Sequence, residues 1–249
     1  MKRYELSEAQ WVRIEPLLPG KVSDPGRTGS DNRLFVNGVL WVLRSGARWS
    51  DLPERYGKYK TVHKRFTRWA RGGVWERVFT LLARDRDNEY LMVDSSIVHA
   101  HAQAATGQKG ARDQALGRSR GGLTTKWHIA VDSFGRPVRF ILTGGNASDA
   151  GSAVPLLSGL DARHILADKA YDSHAILNHV EASGARPIIP QRTCMPRKRD
   201  FDPAIYRLRN RIERTIGKLK QLRRVATRYD RLACNYLATL QLAALRFWC

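Results

Sequence analysis

Cysteine is scarce in this chain. Only Cys194, Cys234 and Cys249 occur in 249 residues, an odd number in no paired spacing, which excludes a disulfide framework and a cysteine-built structural zinc site. Acidic residues are also in deficit, with 23 Asp and Glu against 43 Lys and Arg, leaving a net charge of +20 and a pI near 10.6. No run approaches the roughly 18 apolar residues of a membrane span. The start, Met1-Lys2-Arg3-Tyr4-Glu5, leads into charged sequence and not into a signal-peptide core. The expectation is a cytoplasmic protein that makes no membrane contact. What remains is ample for a core: 43% of residues are hydrophobic and 9% aromatic. So large a positive excess repels itself in a compact fold, and its natural complement is a polyanion such as nucleic acid.

The charge is unevenly spread. Residues 1–88 hold 18 basic and 10 acidic residues, 89–190 hold 10 and 9, and 191–249 hold 15 and 4. Two basic flanks therefore enclose a nearly neutral middle. There is no internal repeat, and two stretches read as loops: Pro19 to Gly29, and Ala102 to Gly122, a long flexible insertion rich in Gly, Ala, Gln, Ser and Arg.

The first third reads as all-helical. Ser7 to Leu18, Asp31 to Arg44, Lys60 to Arg71 and Val74 to Arg84 carry helical periodicity, with Ser30 or Asp31 as a cap and Gly46 and Gly72-Gly73 as stops. The middle opens with strands at Tyr90 to Asp94, Thr125 to Val131 and Pro137 to Thr143, the last two a hairpin across Phe134-Gly135-Arg136-Pro137. A helix from Asp149 to Leu160, a strand Arg163 to Ala167, a helix His174 to Ser183, a strand Arg186 to Ile189 and helices from Pro203 follow. This predicts an α/β fold: a helical domain over 1–88, then a domain over 89–249 with a mixed five-stranded sheet flanked by helices.

Asp94 and Asp168 each end an apolar run and are expected at the C-terminal ends of strands, where α/β folds build sites. The segment from Ile205 to Lys220 supplies a third carboxylate. At about 100° per residue, Tyr206, Arg209, Glu213 and Lys220 fall on one arc of roughly 60°. Ile205, Leu208, Ile212, Ile216 and Leu219 form the core stripe beside it. Glu213 paired with Arg209 is also the ordinary i,i+4 salt bridge of a charged helix. Two Asp and one Glu are hard oxygen ligands suited to Mg²⁺ or Mn²⁺, and two such ions can activate an attacking oxygen and stabilise a leaving one in phosphodiester chemistry. Tyr206, Arg209 and Lys220 fit the task of holding phosphate.

The helix reads Y-(2)-R-(3)-E-(6)-K, and this signature resembles that of the DDE transposases of bacterial insertion sequences, families 4 and 5, most closely family 5. Met92-Val93-Asp94-Ser95-Ser96 resembles the first-Asp motif of that group, and Leu166-Ala167-Asp168-Lys169-Ala170-Tyr171-Asp172-Ser173 its second. The resemblance implies an RNase H-like core and a metal-binding catalytic triad of Asp94, Asp168 and Glu213 carrying two Mg²⁺ or Mn²⁺ ions. It also implies that Tyr206, Arg209 and Lys220 grip the transposon end. The partners would then be the terminal inverted repeats and target DNA, with a homodimer or higher oligomer on DNA joining two ends. Intervals of 74 residues from Asp94 to Asp168 and 45 from Asp168 to Glu213 leave no room for a large inserted domain. The competing functions are a DNA-binding regulator without catalysis and a nuclease that never transfers strands.

Lys60, Lys64, Arg68 and Arg71 share one face of their helix, opposite Val62, Phe66 and Trp69. With Asp51 to Tyr56 as a preceding turn, this reads as a helix-turn-helix whose second helix enters a major groove, and His63 and Thr67 lie beside the basic face. His99 and His101 read as surface or DNA-contacting residues rather than metal ligands. Trp41, Trp49, Trp69 and Trp75 read as core, and Tyr236 to Trp248 as a helix packed on the sheet.

Overall fold

The computed structural model describes residues 4–24, 28–29, 31–106, 113–192 and 200–249. They form two compact units. One, the helical unit, comprises Met1–Arg84, His101–Lys109 and Leu219–Cys249; the other, the sheet unit, comprises Asp85–Ala100 and Gly110–Lys218.

The helical unit contains α1 (Glu8–Ile14), α2 (Asn32–Ser45), α3 (Tyr59–Arg71), α4 (Val74–Leu82), the short α5 (Ala102–Ala105), α10 (Arg223–Ala226) and α11 (Ala233–Ala244). Its ends follow local chemistry. Ser7 and Gln10 form a reciprocal capping box on α1, Asp31 caps α2 through the Leu34 amide at 2.9 Å, and Gly46 ends α2 at φ 75°, a left-handed conformation that favours glycine. The other capping candidate, Ser30, lies outside the described residues. Phe35, Phe66, Trp69 and Trp75 are buried and pack with ring centroids 5.1 to 6.2 Å apart; Trp41 and Trp49 are half-buried. The closing helix does not lie on the sheet as expected. α11 packs on α2, α3 and α4 and is buried nearly all round, from Asn235 to Ala244, so its sequence carries no stripe naming its partner.

The sheet unit holds β1 (Tyr90–Ala100), β2 (Gly117–Ser119), β3 (Gly122–Val131), β4 (Pro137–Gly144), β5 (His164–Leu166) and β6 (Arg186–Ile188), with α6 (Asp149–Leu157), α7 (His174–Ala182), α8 (Pro203–Tyr206) and α9 (Asn210–Lys220, its last two residues counted with the helical unit). The five expected strands are all present, in the order β4-β3-β1-β5-β6, with the short β2 beside the start of β3. β3 is antiparallel to β1 and β4, whereas β1, β5 and β6 are parallel. This is the RNase H-like arrangement. The stretch expected to be a flexible loop over 102–122 contains α5 and β2; residues 107–112 lie outside the described ones.

β1 is longer than the sequence suggested. It continues to Ala100 because the long β3 pairs with it from Met92↔Val131 to His99↔Thr124. Asp94 is therefore in mid-strand, not at its end. The parallel partner β5, however, reaches only Met92↔Leu166, so Asp94 stands just past the C-terminal end of β5.

One sheet face carries a buried polar network. Ser95 pairs across the sheet with His128, and Asp149, first in α6, accepts hydrogen bonds from Ser95 Oγ at 2.7 Å and Lys126 Nζ at 3.0 Å. Lys126 also donates to the Ala147 carbonyl at 2.7 Å, and His128 Nε2 bonds Thr143 Oγ1 at 2.9 Å. Burial brings the His128 imidazole down to about 4, Lys126 adding to the effect and Asp149 opposing it. His128 is thus neutral in the fold while its unfolded counterpart titrates near 6.5. Its contribution is undisturbed above pH 6.5 and is lost as pH falls from 6.5 towards 4, by roughly 3 kcal/mol in all. His128→Gln should remove this slope. Urea midpoints of wild type and variant across that range measure it, and parallel slopes would refute the assignment.

Candidate active site

Asp94 is held by the sheet and largely buried, its side chain 19% exposed. Oδ1 accepts the Ser95 amide at 2.8 Å, and Oδ2 accepts Nη1 of Arg209 at 2.8 Å. Burial raises its pKa above the ordinary carboxylate value and the nearby Asp168 adds to the rise, while the Ser95 amide and Arg209 oppose it.

Asp168 lies two residues beyond β5 and caps the 3₁₀ turn Lys169–Tyr171, its Oδ1 accepting the Ala170 amide at 2.7 Å. That turn is fastened from outside. Arg192 donates to the carbonyls of Lys169 (2.9 Å) and Ala170 (2.7 Å), and its amide donates to buried Asp172 at 2.7 Å.

Glu213 comes from α9. Contrary to one continuous helix from Ile205, the path tightens to a 3₁₀ turn at Arg207–Arg209 between α8 and α9. Tyr206 and Arg209 nevertheless stay together, the guanidinium 6.0 Å from the ring centroid. Thr215 Oγ1 donates to the Gly135 carbonyl at 2.6 Å and Arg211 donates to the Ser133 carbonyl, tying α9 to the β3–β4 turn. Gly135 has φ 78°, and a Cβ there would meet Thr215 Oγ1 at 3.0 Å, so both conformation and contact require glycine.

The result is a three-point contact. The Arg209 fork gives Nη1 to Asp94 and Nη2 to Glu213 Oε1 at 2.6 Å, with the guanidinium 14% exposed and Glu213 55% exposed. Burial works against the guanidinium charge, but Asp94, Tyr206 and Glu213 together outweigh it and raise the Arg209 pKa. Asp168 is close enough for its charge to act on Asp94, although among the described residues no three acidic, histidine or cysteine side chains stand close enough to share one metal ion. Lys220, at the exposed end of α9, counts with the helical unit.

The donor set suits a hard divalent cation. Asp94 and Glu213 already share one cation, Arg209. Tyr171 is 1% exposed, its hydroxyl makes no hydrogen bond among the described residues, and it lies in the fields of Asp149, Asp94 and Asp168. Ser95 is near it but commits its proton to Asp149. Tyr171, Asp149, Lys126 and Arg192 were missed in the sequence; the one available signal was a lysine, Lys126, inside the apolar strand pattern of β3.

In the helical unit, Lys60, Lys64, Arg68 and Arg71 are exposed along α3, while Val62, Phe66 and Trp69 are buried. A groove of about 1010 Å³ beside this face is lined by Lys21, Lys64, Arg65, Arg68 and Arg77, with Asp24 as its acid. Arg65, not anticipated, lies over Phe35 at 4.3 Å and Trp69 at 4.6 Å. His63 stacks on Trp49 at 4.8 Å and Thr67 accepts a hydrogen bond from Asn235 at 3.3 Å, so both are engaged within the unit. Exposed His99 stands on β1, and His101 caps α5 and packs on Tyr229 at 4.8 Å. No described helix is long and apolar enough to cross a membrane.

Comparison with known proteins gives the family. Residues 6–79 match the family described as a putative transposase of the IS4/5 family, and residues 86–248 match the transposase DDE domain. A putative transposase of insertion sequence element IS6501 from Brucella ovis is 34% identical over 131 residues, 51% of this chain and 98% of that protein. An uncharacterised protein, y4sN, of Sinorhizobium fredii is 43% identical over 128 residues, 51% of this chain and 95% of its own length. The Mos1 strand transfer complex is a distant structural neighbour, with a TM-score of 0.35 at 12% identity over 90% of this chain and 79% of its own. With the DDE-domain match spanning well over half its length, the chain belongs to the DDE transposases of bacterial insertion sequences.

Proposed function

We propose that this transposase binds the terminal inverted repeats of its element, cuts DNA at the ends and joins the exposed 3′-hydroxyls to target DNA, with Asp94, Asp168 and Glu213 as the catalytic carboxylates. The observation that carries the reading is the Arg209 fork, which joins a carboxylate of β1 to one of α9 across 115 residues of sequence between Asp94 and Arg209. Mg²⁺ or Mn²⁺, two ions per site, held by these three side chains, would polarise the phosphodiester and ease deprotonation of the attacking oxygen. The chain itself supplies position: β1 fixes Asp94, the Arg192-fastened turn fixes Asp168, and the contact with Gly135 fixes α9. Tyr206, Arg209 and Lys220 would take phosphate oxygens of the end, the guanidinium offering two parallel donors.

The basic face of α3 is the proposed reading helix of a helix-turn-helix. Lys60, Lys64, Arg68 and Arg71 would contact phosphates and set register, and the groove beside them continues the positive surface. Two ends must meet during transposition, so a dimer or higher assembly on DNA is expected.

Labelled duplex carrying the element's terminal repeat, incubated with Mg²⁺ and a supercoiled target, should give cut and joined products with wild type. Asp94→Asn and Glu213→Gln should each lower product formation by more than about 100-fold while end binding survives, since even outer-shell partners of metal ligands cost 10–100-fold. Cutting without joining would favour the nuclease, and binding without either reaction the regulator. For α3, Lys64→Ala and Arg68→Ala should each reduce the slope of log binding constant against log salt by about 1. Fluorescence anisotropy across a salt series measures this, and unchanged slopes would remove these residues from the phosphate contacts.

A further inference from the structure

We propose that Arg209 is a resident counter-cation of the catalytic carboxylates, and that its transfer to a DNA phosphate couples divalent-metal loading to capture of a transposon end. This rests on the assignment of Asp94 and Glu213 as metal-holding residues.

The fork is divided between two elements. Nη1 lies 2.8 Å from Asp94 Oδ2 and Nη2 2.6 Å from Glu213 Oε1, so one guanidinium already occupies the place between the two carboxylates and partly neutralises them. It is 14% exposed and Asp94 19%, which shields the pair from water and from screening by salt. Both oxygens of Asp94 are engaged, Oδ1 by the Ser95 amide and Oδ2 by Arg209. A divalent cation needs oxygens at about 2.1 Å for Mg²⁺, and at that range it would repel a guanidinium on the same carboxylates. The two cations therefore compete.

A DNA phosphate resolves the competition. Guanidinium binds phosphate bidentately as well as it binds carboxylate, and Tyr206, its ring centroid 6.0 Å from the guanidinium, is the neighbour also proposed to contact phosphate. When the fork turns to phosphate, Asp94 and Glu213 are released to metal. Linkage requires the converse: whatever factor DNA adds to metal affinity, metal adds to DNA affinity. The consequence is that cleavage chemistry assembles on an end and not in free protein.

The test uses the full chain with Mn²⁺, followed by isothermal calorimetry and by the electron paramagnetic resonance of free Mn²⁺, with and without a duplex ending in the element's terminal sequence. Asp94→Asn supplies the background from DNA-bound ions. In wild type the duplex should tighten Mn²⁺ binding at least about tenfold, within the usual range of coupling between sites. Arg209→Gln should bind Mn²⁺ without DNA more tightly than wild type does, and the duplex should then add less than about twofold. Arg209→Lys, which keeps the charge but cannot bridge two carboxylates, should lie between them, and thermal unfolding of both variants confirms the fold. If Arg209→Gln leaves Mn²⁺ affinity unchanged or weaker while Asp94→Asn abolishes it, the interlock is wrong and the carboxylate assignment stands. If Asp94→Asn binds Mn²⁺ like wild type, the carboxylate assignment itself fails, and this proposal with it.

Discussion

A carboxylate in the middle of a sheet strand cannot be left to water, and the placement of Asp94 governs much of the surrounding architecture. Burying an ionised group without a partner costs several kcal/mol, or else the group takes up a proton. Asp94 answers this with one backbone amide and one guanidinium. The guanidinium in turn must be delivered by α9, so α9 must be held at a fixed depth against the sheet unit. The β3–β4 turn does this through Ser133 and Gly135, and buried Asp132 shapes the turn by accepting the Phe134 and Arg136 amides at 3.0 and 2.9 Å. A turn far from α9 in sequence thereby sets where Glu213 stands.

The opposite sheet face shows the same economy with other residues. Asp149 collects Ser95 and Lys126, so the residue after Asp94 is fastened from the face that Asp94 does not use. Adjacent residues on a strand point to opposite faces; pinning Ser95 below restricts the backbone that presents Asp94 above. Lys126 is satisfied within this network and nearly buried, which accounts for a lysine in an otherwise apolar strand.

Much of this was legible in the chain. The five strands follow from β-branched and aromatic runs bounded by turn formers, and the opposed faces of α3 from simple 3.6-residue periodicity. The proximity of Arg209 and Glu213 follows from their four-residue spacing. Less was legible where partners decide the outcome. β1 runs on through Ser95 to Ala100 because β3 is long enough to pair with it, whereas its own residues past Asp94 show weak alternation. α11 is buried on nearly every side, so periodicity could not say whether it covers the sheet or the helices. The break at Arg207–Arg209 left no mark either, since a short 3₁₀ turn keeps i,i+3 neighbours such as Tyr206 and Arg209 together.

Where the positive charge lies sharpens the functional reading more than its total does. The helical unit holds 24 basic and 9 acidic residues, the sheet unit 19 and 14. Part of the helical unit's excess is structural. Arg228 is fully buried and donates to the carbonyls of Asp230 and Arg231 at 2.9 and 3.1 Å, and Arg224 is 5% exposed and donates to the Ala47 carbonyl at 2.9 Å. Burial raises the pKa of Asp230 against the pull of Arg224 and Arg228. These arginines organise the turn before α11 and are withdrawn from solvent. Among the cations left facing outward are those of α3 and its groove, on a helix whose other face rests on Phe35, Trp75 and α11. Removing the N-terminal segment would therefore strip α11 of its partners as well as delete the basic face, so that loss of DNA binding by truncation would not separate recognition from folding. Replacing single exposed cations on α3 leaves that packing in place, so a change in the salt dependence of DNA binding would report on the proposed phosphate contacts.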